Sequence, residues 1–267
     1  MARTLLRRGI AVRVTTRAPD GLATLAKLGA EIVPLDVMAP GAGDMLRTAA
    51  SPGCFVLHSI PSLPGGRDAE IAGMLGKAPA RVVYLSTTGV YGATREVNER
   101  TPPAPKDERG RLRLETEKAL QAGPWSTMVL RPAAIYGPDR GIQMSIREPG
   151  FRIFGDGSNF ISRIHADDLA AHAAVALTSR IPGAYPVADM ESCASLEIAR
   201  YCAGLLGLDV PEPDGAADVP ETRRSDRRVD GAAIRRLLGI VLRYPSYRDG
   251  IPAALAAEFA MRVSNQH

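Results

Sequence analysis

The sequence predicts an α/β fold, a doubly wound parallel sheet with helices on both faces and a smaller lobe after it. Short β-branched runs alternate with helical patterns through the first half, which is typical of parallel strands joined by crossover helices. The alternation stops after Pro138, where a glycine-rich polar stretch begins. The 267 residues are enough for one such domain and a lobe. We therefore predict a sheet domain at residues 1–138 and a lobe at residues 139–267.

The individual elements follow from local patterns of apolar residues. Predicted strands are the apolar runs at residues 10–16, 31–34, 54–58, 81–86 and 126–131. Predicted helices cover residues 1–8, 21–28, 44–49, 68–75 and 109–121, and others begin near Asp168, Ser195 and Asp230. This gives five strands where a doubly wound sheet usually has six. Residues 211–220 (PEPDGAADVP) form a linker-like segment.

Composition and charge restrict the partners of the chain. The net charge is +4 and the pI about 9.1, but the arginines are scattered and aromatic residues make up 5%, which argues against a nucleic-acid groove. No apolar run approaches the ~18 residues that cross a bilayer, so no membrane partner is expected. The three cysteines, Cys54, Cys193 and Cys202, lack metal-ligand spacing and suit a reducing compartment. We expect a cytoplasmic protein that binds a small-molecule substrate and no metal, and a homodimer is left open.

A strand that ends in hydroxyl residues carries the strongest local signal. Residues 82–92 (VVYLSTTGVYG) place Ser86, Thr87 and Thr88 directly after an apolar β-branched run. Ligands of open α/β sheets bind at the carboxyl ends of the strands, where a short, fixed hydroxyl can both donate and accept a hydrogen bond. The alternative is that these hydroxyls only terminate the strand by bonding backbone groups.

Three further segments follow in order along the chain. They are residues 130–138 (LRPAAIYGP), 162–169 (SRIHADDL) and 228–240 (RVDGAAIRRLLGI). Together with the hydroxyl-ended strand, they resemble the extended short-chain dehydrogenase/reductase superfamily, in its NAD-dependent epimerase/dehydratase group. The resemblance covers nearly the entire chain and implies a Rossmann-type sheet that binds NAD or NADP. It also implies that Thr87 bonds the carbonyl or hydroxyl oxygen of the substrate.

The resemblance implies cofactor contacts at the ends of several strands. Arg17 follows the family's second strand, where an arginine pairs the 2′-phosphate, so NADP is favoured over NAD; a solvated strand-end arginine is the alternative. Asp36 matches the position beside the adenine, or else caps a turn or helix. His58 lines the cofactor cleft or is a core histidine. The other residues implied to contact the cofactor are Ile60, Pro61, Ser86, Arg113, Arg131, Pro132 and Ala133.

The chain departs from the family at its acid/base pair. Family members carry Tyr-x-x-x-Lys on the helix after the fifth strand, and aligning Glu117 with their glutamate puts Arg109 and Arg113 at these two positions. Arginine stays protonated, so it cannot pass a proton. Tyr91 and Tyr136 are then the candidate catalytic replacements beside Thr87, and packed aromatics with satisfied hydroxyls are the alternative.

A histidine and two aspartates of the 162–169 segment are interpreted as structural. Asp167 or Asp168 occupies an N-cap position before the helical pattern at residues 169–177. His165 precedes them and is given no catalytic role.

The sequence lacks the family's first strand and its glycine motif G-x-G-x-x-G. Residues 1–8 (MARTLLRR), followed by Gly9, resemble the family's first helix, which makes Met1 an internal methionine of a longer reading frame. A genuine start at Met1 is the alternative. Because the first strand is central in the sheet, we expect its two neighbours to have unpaired edges.

Three functions follow as hypotheses. The first is an NAD(P)-dependent oxidoreductase or epimerase/dehydratase that acts on a carbonyl or hydroxyl of a small or nucleotide-linked substrate. The second is a non-catalytic NAD(P)-binding sensor or scaffold, and the third is an inactive product of a truncated gene. The absent tyrosine and lysine favour the second hypothesis, whereas the Thr87 and Tyr-Gly-Pro segments favour the first. Fold alone does not decide between them.

Overall fold

The computed structural model describes residues 1–214 and 224–264. The helices are α1 (Ala2–Arg7), α2 (Ala23–Lys27), α3 (Ala42–Ala49), α4 (Glu70–Leu75), α5 (Glu108–Gln121), α6 (Ile142–Ser145), α7 (Ala166–Thr178), α8 (Ser195–Leu206), α9 (Ala232–Leu238) and α10 (Tyr247–Ser264). Within these ranges, no helix combines the length and apolar character that crossing a bilayer requires. The predicted linker at 211–220 contains a short strand at its start, and its residues 215–220 lie outside the described part.

The strands are short. They are β1 (Arg13–Thr16), β2 (Glu31–Pro34), β3 (Phe55–His58), β4 (Arg81–Leu85), β5 (Glu96–Val97), β6 (Ser126–Pro132), β7 (Ala134–Tyr136), β8 (Ile153–Phe154), β9 (Phe160–Ile161), β10 (Arg163–His165), β11 (Gly183–Val187), β12 (Cys193–Ala194), β13 (Pro213–Asp214) and β14 (Arg228–Val229). The first four predicted strands correspond to β1, β2, β3 and β4, and the fifth predicted strand is β6.

The chain divides into two compact units. Unit 1 consists of Met1–Ser86, Asp107–Leu130 and Ala170–Ala184, and unit 2 of Thr87–Lys106, Arg131–Leu169 and Tyr185–His267. Both units draw on residues before and after Pro138. The domain boundary that the sequence placed at residue 138 stays a prediction.

Unit 1 contains two sheets with parallel strands, and short parallel pairs also occur in unit 2. β1 pairs with β2 along its whole length, from Arg13 beside Glu31 to Thr16 beside Pro34. The second sheet has the order β11-β6-β4-β3, in which β3, β4 and β6 are parallel. The predicted parallel α/β architecture is therefore confirmed. The edge strand β11 escaped prediction because Pro186 interrupts its pattern, and proline is tolerated mainly at a sheet edge.

Apolar residues of α4 and α5 pack on this sheet and form the core of unit 1. β4 lies between two partners and is buried almost along its whole length, as a central parallel strand should be. The buried members of the core are Ile71, Leu75, Val82, Tyr84, Leu120, Trp125 and Val129. This packing fixes the helix α5 against the strand ends that follow β3 and β4.

Unit 2 combines short paired strands with the helices α8, α9 and α10. Its core contains Cys193 and Cys202, both free and buried, in line with their interpretation as packing residues. The helix α10 was not predicted, because Gly250 and Pro252 interrupt its helical pattern near the start. Pro252 is the sixth residue of α10, past the first turn, so the carbonyl of Arg248 lacks its intrahelical donor. The hydroxyl of Tyr201 donates to this carbonyl at 3.1 Å and replaces the missing bond.

Candidate functional site

The helix α5 positions two buried polar residues against the strand ends of unit 1. It begins where the side chain of Asp107 accepts a hydrogen bond from the backbone N–H of Gly110, at 2.6 Å. Arg113 and Glu117 are one turn apart on its inner face and both are buried. Glu117 accepts a hydrogen bond from the hydroxyl of Ser86, the residue that follows β4. Ser86, a residue expected at the cofactor, is therefore tied to the same face of α5 that carries Arg113.

The Arg113 guanidinium is held by protein groups. Its Nη1 donates to the Tyr84 hydroxyl at 2.5 Å, and both terminal nitrogens lie 3.4 Å from the carbonyl oxygen of Ile60. Asp68 Oδ1 lies 3.9 Å from Nη1 and forms a buried ion pair with it. Arg113, which the sequence alignment placed at the family's lysine position, links α5 to the ends of β3 and β4.

His58 ends β3 beside this arginine and is 3% exposed. Its Nδ1 lies 3.5 Å from the backbone N–H of Ile60, and its ring lies 4.8 Å from that of Tyr84. Burial, reinforced by the positive charge of Arg113, lowers the pKa of His58 to about 3. His58 is therefore neutral at pH 7. Its Nε2 has no hydrogen-bond partner among residues 1–214 and 224–264, and the same holds for Arg113 Nε and Asp68 Oδ1.

Arg17 and Asp36 follow neighbouring parallel strands and lie at the same edge of the β1–β2 sheet. The backbone N–H of Leu35 donates to the carbonyl of Thr16 at 2.8 Å, so the two chains leave the sheet side by side. Asp36 Oδ1 accepts a hydrogen bond from the N–H of Met38 at 2.9 Å, which is the turn-capping arrangement that was its alternative interpretation. Both side chains are exposed.

The loop after β2 also packs against the loop after β3. Leu35 and Val37 form a small buried cluster that contacts Ile60 and Leu63. Asp36 lies between the first two, and Pro61 between the second pair. Unit 1 therefore brings Arg17, Asp36, His58, Ile60 and Pro61 to the carboxyl ends of its parallel strands, and their contact with a cofactor stays a prediction.

Thr87 is the first residue of unit 2, and its side chain caps a short 3-10 turn. Its Oγ1 accepts a hydrogen bond from the backbone N–H of Gly89 at 3.1 Å, and the turn runs over Thr88–Tyr91. This bond occupies one lone pair of the hydroxyl and fixes the position of the oxygen. Thr87 is half-buried, whereas Thr88 is buried.

The two candidate tyrosines are fully buried and hydrogen-bonded. Tyr91 Oη accepts a bond from Arg131 Nη1 at 3.1 Å, and that guanidinium lies 5.1 Å from the centre of the Tyr91 ring. Tyr136 Oη donates to the carbonyl of Ser246 at 3.2 Å. Burial, together with the nearby carboxyl of Asp189, raises the pKa of Tyr136. These contacts favour the packing alternative for both hydroxyls, and a catalytic role for either stays a prediction.

A glycine makes room for Tyr136. A Cβ placed on Gly250 would lie 2.1 Å from Tyr136 Oη, so only glycine lets α10 approach the ring. The neighbouring Pro132 and Ala133 are also buried, and the N–H of Ala133 donates to the carbonyl of Val187 at 2.9 Å. The segment around Arg131 is thus rigid.

Asp168 is structural, as expected, but it is not the N-cap of a helix. α7 begins at Ala166, so Asp167 and Asp168 lie in its first turn and not at the N-cap. The carboxylate of Asp168 accepts bonds from the backbone N–H groups of Arg243 and Tyr244, at 2.8 and 3.0 Å. It thereby anchors the chain before α10.

A cavity of about 190 Å³ opens beside Tyr136 within unit 2. Most of its wall is apolar, and charge is supplied by two arginines. The wall includes Ile142, Phe151, Arg152, Phe154, Ile161 and Arg163. Because most ligand pockets measure roughly 300–1,000 Å³, this cavity suits one flat apolar group of a ligand, beside a negatively charged part.

Comparison with known proteins identifies the family of the chain. Residues 69–188 match the model of the NAD dependent epimerase/dehydratase family. A conserved protein of unknown function from Silicibacter pomeroyi is 31% identical, with 96% of this chain and 93% of that chain covered and a TM-score of 0.76. The chain belongs to the NAD-dependent epimerase/dehydratase family. Among curated proteins, no sequence match was found.

Two solved structures of lower sequence identity share the fold. UDP-glucuronic acid 4-epimerase from Bacillus cereus, in complex with UDP-glucuronic acid and NAD, is 17% identical, with a TM-score of 0.76 and coverage of 97% of this chain and 95% of that chain. The enzyme WbmG from Bordetella bronchiseptica, in complex with NAD and UDP, is 18% identical, with a TM-score of 0.75 and coverage of 96% and 89%.

The sequence did not reveal the partners of the predicted residues. Tyr84 lies in an apolar strand and Asp68 at the start of a predicted helix, and neither position carried a sign that it would meet Arg113. Glu117 was used only to align α5. The pairing depends on side chains that approach each other across the α5 and β4 packing.

Proposed function

We propose that this family member is an NADP-dependent oxidoreductase of the epimerase/dehydratase type that acts on a carbonyl or hydroxyl of a nucleotide-linked substrate. The observation that carries the proposal is the fixed hydroxyl of Thr87. The bond from Gly89 leaves its O–H and a second lone pair to meet a substrate oxygen. A hydroxyl that both donates and accepts can serve an alcohol and the carbonyl formed from it.

Several residues of unit 1 fit part of a dinucleotide cofactor, and the glycine turn that holds the pyrophosphate in the family is absent from the sequence. His58 and Arg113 each carry a buried nitrogen without a partner among the described residues, beside the carboxyl ends of β3 and β4. Donors in this position suit the oxygen-rich ribose and phosphate groups of a dinucleotide. When bound, the nicotinamide accepts or returns a hydride. The chain's own part is to orient the substrate through Thr87 and to hold the cofactor.

The cavity beside Tyr136 supports a nucleotide-linked substrate. Phe151 and Phe154 supply apolar faces for a base, and Arg152 and Arg163 supply donors for phosphate oxygens. UDP and UDP-glucuronic acid are the ligands in the two structures of lower sequence identity named above. Their presence there makes UDP-sugars the first substrates to test.

Replacing Thr87 tests the proposed reaction. The full chain is incubated with NADP⁺ or NAD⁺ and with UDP-glucose or UDP-glucuronic acid, and the sugar products are followed by NMR. We expect turnover, and Thr87→Val should lower kcat/KM by about 100-fold, the loss of one well-placed hydroxyl. The exposed Thr178→Val is the matched control and should keep the parent rate. Equal rates for the parent and Thr87→Val would refute the assignment.

Cofactor choice should depend on Arg17. Its exposed guanidinium at the edge of the β1–β2 sheet can pair a 2′-phosphate, which only NADP carries. In calorimetric titrations, we expect NADPH to bind about tenfold more tightly than NADH, and Arg17→Ala to remove most of that difference. Arg8→Ala removes an equally exposed arginine and should leave the ratio unchanged. A ratio near one in the parent protein would make NAD the cofactor.

A non-catalytic dinucleotide-binding protein is the second candidate. It is favoured by the engagement of Arg113 with Tyr84 and Ile60, and by the exposed Arg109 at the family's tyrosine position. Binding of NADPH without turnover of any UDP-sugar would support this second function. Homodimer formation and a cytoplasmic location stay predictions of the sequence.

A further inference from the structure

We propose that unit 2 contains a second ligand site, a polar cavity that binds an uncharged, hydroxyl-rich molecule of about the size of one sugar ring. The cavity measures about 350 Å³ and shares no lining residue with the apolar cavity beside Tyr136. Ligand pockets usually measure roughly 300–1,000 Å³, so this one suits a small molecule. The proposal stands apart from the oxidoreductase function.

Charged side chains of both signs surround this cavity. They come from the paired strands β5 and β14, from the turn after β11 and from α9, and they are Glu96, Asp189, Arg228, Asp230 and Arg235. No aromatic ring is among the described residues that line it. The lining therefore offers hydrogen bonds and lacks the flat apolar faces on which a base or another ring would stack.

Asp189 is the residue of this cavity, among those described, with an unsatisfied buried hydrogen-bonding atom. It is 3% exposed, and its Oδ1 lies 3.3 Å from the backbone N–H of Glu191. Its Oδ2 has no hydrogen-bond partner among residues 1–214 and 224–264. A buried polar atom without a partner costs free energy, and a ligand hydroxyl would supply the missing bond.

The charges of the lining balance, which favours an uncharged ligand. Glu96 is paired with Arg228, with Oε1 3.1 Å from Nη1, and Asp230 offsets Arg235. Burial raises the pKa of Asp189 to about 8, so this carboxyl carries a proton at pH 7. Neither a cation nor an anion then meets an unbalanced charge. Adjacent hydroxyls of a sugar can donate to Asp189 and accept from Arg235 together.

Two close contacts fix the part of the cavity wall between Asp189 and Arg235. Arg235 Nη1 donates to the carbonyl of Ala188 at 2.7 Å, which ties α9 to the residue before Asp189. A Cβ on Gly231 would lie 2.7 Å from the backbone nitrogen of Ala188, so glycine permits this close approach. The carboxyl and the guanidinium are thus held in place on one side of the cavity.

Saturation-transfer NMR on the full chain, without cofactor, tests the site. The probes are D-glucose and myo-inositol as polyols, L-arginine as a cation and inorganic phosphate as an anion. Phosphate has no carbon-bound proton, so its binding is followed by the broadening of its phosphorus NMR line. We expect saturable binding of at least one polyol, weakened about tenfold by Arg235→Gln, the effect of losing one hydrogen bond to a charged group. Arg236→Gln makes the same charge change at the next, exposed position of α9 and should leave the affinity unchanged.

A second variant guards against a folding defect in Arg235→Gln. Asn98 is exposed and also lines the cavity, and its Oδ1 accepts a bond from the backbone N–H of Arg100 at 2.9 Å in an exposed turn. Asn98→Ala should weaken polyol binding and lose only this exposed turn bond. The proposal is overturned if neither polyol binds saturably, if only L-arginine or phosphate binds, or if Arg235→Gln and Asn98→Ala both keep the parent affinity. Because no NADP or UDP-sugar is present, none of these outcomes bears on the proposed oxidoreductase reaction.

Discussion

Replacing Arg81 with methionine is expected to lower the free energy of unfolding by about 3 kcal/mol. Arg81 is 3% exposed at the start of β4. Its Nε donates to the carbonyl of Ala176 at 2.6 Å, and its Nη2 donates to that of Ile181 at 2.7 Å. It also donates to the hydroxyls of Ser126 and Ser179. Methionine fills a similar volume but cannot donate a hydrogen bond. The buried carbonyl oxygens are then left without a donor, and this lowers the free energy of unfolding.

Urea unfolding followed by circular dichroism measures this loss. Arg180→Met is the matched control, because Arg180 lies next to Ser179 in the chain and is exposed. It should change stability by less than about 0.5 kcal/mol, as surface substitutions usually do. A similar loss in both variants would mean that the buried network contributes nothing specific.

Replacing Arg113 with methionine is expected to cost about 3 kcal/mol and to weaken NADPH binding. Without the guanidinium, the buried Asp68 loses its ion-pair partner, and the hydroxyl of Tyr84 loses a bond of 2.5 Å. Removing one member of a buried ion pair is costly because the remaining charge is uncompensated. Arg113→Lys should lose less stability, since it keeps the charge but lacks the planar fork that reaches Tyr84 and Ile60 together.

Unfolding curves and NADPH titrations of the same variants separate two roles of this residue. Arg111→Met alters an exposed arginine two residues away on α5 and serves as the control for both measurements. A cofactor role requires Arg113→Lys to bind NADPH more weakly under conditions where it is fully folded. If stability falls while cofactor affinity stays at the parent value, Arg113 is structural only.

The sequence predicted the parallel strands of unit 1 because each carries a local apolar pattern. β2 begins and ends at the predicted residues, whereas β1 begins three residues later than predicted, at Arg13. β11 and α10 were missed where proline or glycine interrupts the pattern and packing against neighbours compensates. The short paired strands of unit 2 are two or three residues long, too short for any periodicity to show.

The candidate site was predictable only in part. The motif around Thr87 and the alignment of α5 on Glu117 singled out Thr87, Ser86 and Arg113, whose functional roles stay predictions. The polar cavity of unit 2 was not predicted. Its Asp189 and Arg235 are 46 residues apart in the chain, and neither belongs to a recognisable spacing.

What the sequence by itself determined is the set of family motifs and the order of the strands in unit 1, since both are local properties of short segments. The tertiary structure alone decided which polar groups meet and which stay unsatisfied. The pairing of Arg113 with Tyr84 and Asp68, and the burial of Asp189 beside a cavity, arise where separate segments pack together. Hydrogen bonds and pKa shifts depend on distances and burial across such contacts, which no pattern along the chain encodes.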